Sequence, residues 1–185
     1  MTTRREMPVK KLRIRIFVFI LLLIMIYFGF SYLMPPDIDD IEVPNGLHPI
    51  VEEKQNELME RANQKGIPIL ISDGFRSIEE QNNLYEQGRT KPGKIVTNAR
   101  GGESLHNFGL AIDFALLNKD GIAIWDMEYD GNQNNKQDWL EVVDLAKELG
   151  FEWGGDWAAF KDYPHLQMDF GISLRELQRG TWRSP

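Results

Sequence analysis

The longest apolar run, IFVFILLLIMIYFGFSYLM from Ile16 to Met34, carries no charge. At 1.5 Å per residue it matches the ~30 Å hydrocarbon core of a bilayer. The pattern predicts a single N-terminal transmembrane helix over 16–34, acting as a signal anchor. Arg4, Arg5, Lys10, Lys11, Arg13 and Arg15 precede it against Glu6 alone, so the positive-inside rule puts residues 1–15 in the cytoplasm, with the chain N-in and C-out on the cell membrane. The small residues Gly29 and Ser31 keep a second reading open, a cleaved signal peptide and a secreted product. Residues 35–46, PPDIDDIEVPNG, lack either hydrophobic period and read as an acidic, proline-rich linker.

From Leu47 to the end, residues 47–185, the pattern is that of one domain. Ile50, Val51, Leu58, Met59 and Ala62 recur at helical spacing up to Lys65-Gly66, a stop signal. IPILIS reads as a buried strand, and Ser77-x-x-Glu80 as a capping box opening a helix. Two apolar runs joined by Lys119-Asp120-Gly121 predict a hairpin, and Asp138-x-x-Glu141 a second capping box before the amphipathic WLEVVDLAKELG. In YPHLQMDF, His165, Gln167 and Asp169 alternate with Leu166, Met168 and Phe170, as in a half-buried strand. A short amphipathic helix is expected in GISLRELQRGTWRSP. Hairpins mixed with helices, without a repeating βα unit, predict an α+β fold with a mainly antiparallel central sheet and flanking helices.

Composition narrows the chemistry. The 185 residues include no cysteine, which excludes disulfides, zinc–thiolate clusters and cysteine nucleophiles; any metal must be held by histidine and oxygen. The net charge is −7, and beyond the basic N-terminus the body stands near about −12. Such a surface is a poor partner for nucleic acid.

SLHNFGLAID then raises a metal question. Two ligand atoms on a tetrahedral zinc lie about 3.3 Å apart, yet His106 and Asp113 would stand about 10 Å apart along a helix and over ~20 Å along a strand. The chain must bend between them, and Gly109 permits the bend. A turn histidine followed by a hydrogen-bonded buried acid explains the same pattern without a metal. DYPHLQ adds His165, its starting point fixed by Pro164, and Asp162 three residues earlier. Two histidines and one aspartate leave a fourth zinc position open, as in catalytic sites, and give Asp162 a role as the base that takes the proton of the attacking water.

Ser104, His106, Gly109, Ala111 and Asp113, followed by Asp162 and His165, resemble the motifs of the zinc peptidases of the VanY and D-alanyl-D-alanine carboxypeptidase group. DGFRS, ARGGESLHNFGLAIDF, WDMEYDGNQN, FEWGGDW and DYPHLQ are similar to the CwlK-type L-alanyl-D-glutamate endopeptidases of the bacterial cell wall. The resemblance implies a hedgehog or D-Ala-D-Ala peptidase-like fold, one Zn2+ held by His106, Asp113 and His165, Asp162 as general base, and peptidoglycan as substrate and partner of a monomeric enzyme. Members that cut D-Ala-D-Ala usually have glutamate where this chain has Asp162, which points to the L-Ala-D-Glu bond; a D-Ala-D-Ala carboxypeptidase and a non-catalytic wall-binding module are the alternatives. Arg76 matches an arginine that faces the substrate, with an ion pair to Glu79 or Glu80 as the structural alternative.

Several residues keep two readings. Ser104 supports the site or is a plain loop serine. Trp153 and Trp157 line a substrate groove or belong to the core, and Asp156 orients a zinc histidine or caps its turn. Asp130, Asn132, Asn134, Asp138 and Glu141 fall at positions 1, 3, 5, 9 and 12 of an EF-hand-like loop, with Asn135 where glycine is usual. That spacing admits Ca2+, or a polar loop closed by the Asp138 capping box. His48, ahead of Pro49, reads as structural.

Overall fold

The computed structural model describes residues 9–33 and 44–180, and the chain divides into two compact units, Met1–Asp37 and Ile38–Pro185. In the first, helix α1 runs Val9–Leu33. The expected transmembrane helix is corrected here: among the described residues no helix is long and apolar enough to cross a membrane. The membrane partner and the single-pass placement fall with the span. Met34 and residues 35–43 of the expected linker lie outside the described residues, as do residues 1–8 and 181–185.

The second unit begins with α2, Pro49–Gln64. His48 is its N-cap, and its ring accepts from the Ile50 amide at 3.3 Å, while Pro49 sits where a missing N–H costs nothing. Then follow β1 (Ile69–Asp73), α3 (Ile78–Glu86), β2 (Ala111–Leu117), β3 (Ala123–Ile124), α4 (Asp138–Glu148), β4 (Glu152–Trp153), β5 (His165–Gln167) and α5 (Leu174–Gln178). The strand order is β1-β2-β5-β4, with β3 also on β2. Every pairing is antiparallel, so the α+β expectation stands.

β2 is the central strand, and its two faces differ. Ile112, Phe114 and Leu116 are fully buried, and the Phe114 ring lies 4.5 Å from that of Trp139 on α4. Val142, Val143 and Ala146 of α4 and Val51, Leu58 and Ala62 of α2 complete this core. Side chains alternate along a strand, so Asp113 points to the opposite face, between the small residues Ala111 and Ala115.

Some local expectations change. Ser77 and Glu80 form a true capping box. Asp138 does not: the N-cap of α4 is Gln137, without a side-chain cap, and Asp138 turns back so that its Oδ2 accepts from Gly131 N at 2.8 Å. The last strand ends at Gln167, shorter than the alternation suggests, and extended geometry is broken outright at Phe170, where φ is 52°.

Gly109 makes the bend. It ends a 3-10 turn, Leu105–Phe108, with φ at 67°, and an added Cβ would lie 2.3 Å from the Gly46 carbonyl oxygen and 2.9 Å from His48 N. Gly109→Ala adds left-handed strain to a clash with backbone and is expected to lower stability by about 2–4 kcal/mol. A urea midpoint that stays at the parent value would show that the bend tolerates a side chain.

Candidate metal centre

The site is assembled by three local devices. Ser104 starts the 3-10 turn, its hydroxyl accepting from the His106 amide at 3.4 Å. Buried Asn107 pins that turn to the β1–α3 connection, donating to the Arg76 and Ser77 carbonyls at 2.8 and 3.2 Å and accepting from Gly102 N at 2.9 Å. Gly109 then reverses the chain into β2, and Asp113 lies directly opposite His165 in the β2–β5 register. Residues paired in this way project from the same face.

The three side chains converge. His106 Nε2 and His165 Nδ1 are 3.2 Å apart, and Asp113 Oδ1 lies 3.4 and 3.3 Å from them. That is the ~3.3 Å ligand–ligand separation of a tetrahedral zinc. The outer nitrogens are already engaged. His106 Nδ1 donates to the Gly74 carbonyl at 2.6 Å, and His165 Nε2 lies 3.0 Å from Gln167 Oε1. With those protons outward, both inner nitrogens present lone pairs, as does Asp113 Oδ1, a buried atom with no hydrogen-bond partner. Three acceptors facing one point need a cation between them; a proton on one ring would satisfy one pair at a time. Among the described residues this is the one group of three or more His, Cys, Asp or Glu side chains able to share a metal. In the absence of a metal, burial presses the Asp113 carboxyl upward, while hydrogen bonds and charge from His106 and His165 when those rings carry protons toward it outweigh burial and hold it well below the usual carboxylate range.

Arg76 is not paired with Glu79 or Glu80. Its Nη2 donates to Asp113 Oδ2 at 3.2 Å, Nε to Asp73 Oδ2 at 2.8 Å and Nη1 to Gln81 Oε1 at 2.9 Å, with 14% of the side chain exposed. Each nitrogen thus holds a protein acceptor, and one holds the second oxygen of a candidate ligand. Asp162 is half-buried and close enough for both histidines to act on it electrostatically. Burial raises its carboxyl above the ordinary value, with Asp113 adding to the rise and His165, His106 and Arg76 opposing it. Gly154 seats this loop: its carbonyl accepts from Asp162 N at 3.2 Å, and a Cβ there would lie 2.4 Å from the Asp162 carbonyl oxygen and 3.2 Å from His165 Cβ.

The other expected residues separate. The Trp157 ring lies 5.1 Å from His165 and 5.0 Å from exposed Phe160, so it borders the site. Trp153 is buried and donates to the Tyr163 carbonyl at 2.7 Å, which makes it part of the wall behind the Asp162 loop. Asp156 is corrected: it pairs with Lys147 at 2.6 Å, and neither outer histidine nitrogen is its partner. The calcium expectation is not supported. Asp130 caps the amides of Asn134 and Asn135, Asn132 reaches the Lys65 carbonyl, and Glu141 takes the Asn134 amide and lies 3.6 Å from Lys65 Nζ. Each acid of that loop holds a protein donor, and among the described residues no three of them bring ligand atoms together as His106, Asp113 and His165 do.

Sequence reasoning missed Gly74, Asn107, Gly154 and Gln167. Gly74 acts through a carbonyl that any residue would offer. Gln167 had a signal, since it follows His165 by two on the same strand face.

The profile of the D-alanyl-D-alanine carboxypeptidase family matches residues 97–168, spanning all three converging residues and Asp162. The chain is 66% identical over 131 residues to the peptidoglycan L-alanyl-D-glutamate endopeptidase CwlK of Bacillus subtilis, covering 71% of this chain and 78% of that one. It belongs to this peptidase family. A second member, the L-alanyl-D-glutamate peptidase of Listeria phage A118, is 33% identical over 113 residues, covering 61% of this chain and 34% of the phage protein. Among solved structures, the LD-carboxypeptidase LdcB superposes with a TM-score of 0.51 at 25% identity, covering 80% of this chain and 77% of that one.

Zinc titration of the metal-free chain should saturate at one ion per chain. At free zinc 100 times Kd the unfolding free energy should rise by about 2.7 kcal/mol. His106→Ala should remove that increment; a rise that survives the substitution would place the ion elsewhere.

Proposed function

We infer that this chain is a zinc metallopeptidase that hydrolyses the stem peptides of peptidoglycan, at the L-Ala-D-Glu bond. The observation that carries this reading is the convergence of His106 Nε2, His165 Nδ1 and Asp113 Oδ1 on one point, in a chain 66% identical to an enzyme of that activity. His106, Asp113 and His165 would hold the zinc ion, which would supply Lewis acidity toward the scissile carbonyl and toward the attacking water.

The residues around it divide the work. Asp162 receives the proton of the attacking water on its carboxylate and returns it to the leaving amine. Its carboxylate has no hydrogen bond or ion pair with the described residues, and its raised affinity for protons brings it nearer to a working base. Arg76 acts through Asp113, holding Oδ2 so that Oδ1 is left toward His106 and His165, while Asp73 and Gln81 fix the guanidinium. Trp157 and Phe160 offer an exposed aromatic edge beside His165 for the substrate.

Two measurements test the reading. Digestion of purified wall followed by mass spectrometry should yield glycan-linked L-Ala and stem peptides beginning with D-Glu; free D-alanine with otherwise intact stems would overturn the bond assignment. Asp162→Asn should lower hydrolysis by about two orders of magnitude or more with zinc still bound; full activity in that variant would remove Asp162 from the chemistry.

The pH profile tests the same group. The base works ionised, and burial in the fold raises its pKa, so activity falls as pH drops through that raised value. The acid limb of kcat/KM should therefore sit above the ordinary aspartate value of about 3.9 and move in Asp162→Glu. A limb at the ordinary value and unmoved by that substitution would argue against this assignment.

A further inference from the structure

His165 faces the metal centre through Nδ1, so its proton must lie on Nε2, and what fixes that choice lies one strand further out. Gln167 is on the same face of β5, and its Oε1 is 3.0 Å from His165 Nε2. A carboxamide can present its oxygen or its nitrogen in almost the same shape. With the nitrogen turned inward, the ring would have to accept at Nε2 and carry its proton on Nδ1, which would close the ligand position.

Glu152 removes that ambiguity. It lies directly opposite Gln167 in the β4–β5 register, and its Oε2 accepts from Gln167 Nε2 at 3.0 Å. An ionised carboxylate only accepts. It therefore draws the amide nitrogen outward and leaves the oxygen toward His165. His106 needs no such relay, because its outer nitrogen donates to a backbone carbonyl that cannot be reversed.

We propose that Gln167 and Glu152 are positioning residues that lock His165 in its Nε2–H tautomer, keeping Nδ1 free as a ligand. The pair rests on the metal reading above, and it contacts His165 at Nε2, not at the candidate ligand atom. Glu152 is exposed, so its substitution should leave the fold intact.

The test uses the full chain and two readouts. In the metal-free protein at about pH 8, where imidazole is neutral, two-bond 1H–15N spectra should show His165 as a single Nε2–H tautomer. Glu152→Gln should yield a mixture of tautomers and weaken zinc binding several-fold. Gln167→Ala should weaken it about 10- to 100-fold. The exchanged pair, Glu152→Gln with Gln167→Glu, puts the carboxylate beside the ring and should restore both the single tautomer and zinc affinity.

Unchanged spectra and zinc affinity in the single variants would overturn the relay. So would losses in both that the exchanged pair fails to recover, since packing alone would then explain them. A parent chain that binds no zinc, yet loses its single tautomer in Glu152→Gln, would overturn the metal reading and leave the relay standing.

Discussion

The antiparallel register that sets Asp113 of β2 opposite His165 of β5 is the constraint on which the rest of the site depends. Side chains on a strand alternate faces, so a slip of one residue would send one of these groups into the apolar core and the other away from it. Register is held by the opposite face, where Ile112, Phe114 and Leu166 are fully buried. The hydrophobic core thus sets the site's geometry indirectly: apolar burial on one side of the sheet fixes where polar atoms stand on the other. A polar row then crosses the sheet, from Asp73 through Asp113 to His165, with Glu152 and Gln167 beside it.

His106 enters this row from outside the sheet, by a route the chain can take only at Gly109. The left-handed turn and the close approach of the Gly46 carbonyl leave no room for a side chain. Gly154 does the same service for Asp162 and His165. At these two glycines close backbone contact adds a second constraint to the one that core packing places on the sheet.

Much of this was legible in the sequence, for identifiable reasons. The bend at Gly109 could be argued from ligand spacing, but spacing alone left a hydrogen-bonded buried acid as the alternative, and the full candidate set of His106, Asp113 and His165 came with the resemblance to the zinc peptidases. Helices α2 and α3 were legible through periodicity and a capping box, and the sheet class through the hairpin pattern. The losses were of other kinds. Asp138 has the spacing of a capping box, but its carboxylate bonds backward to Gly131, a choice tertiary contacts make. Asp156 is a plausible partner of a histidine by proximity in sequence, but Lys147 takes it. The apolar run at 16–34 invited a bilayer by its length, its lack of charge and its basic flank, whereas among the described residues no helix is long and apolar enough to cross one. Spacing also placed five calcium-type ligands in one loop, but spacing does not show where their lone pairs point.

The orientation of lone pairs is where the structure adds most. Sequence can name His106, Asp113 and His165, but a histidine has two nitrogens and only one of them can serve. On His106 the choice follows from a backbone carbonyl. On His165 it passes through an amide, whose own orientation is open until Glu152 closes it. Arg76 performs the equivalent operation on the aspartate, taking Oδ2 so that Oδ1 is left for the centre. Each of the three candidate ligands has its far atom held by a different kind of partner: a carbonyl, an amide and a guanidinium. What these partners share is that each leaves an unpaired acceptor facing the same point, and that common outcome is what suits the candidate site to a cation.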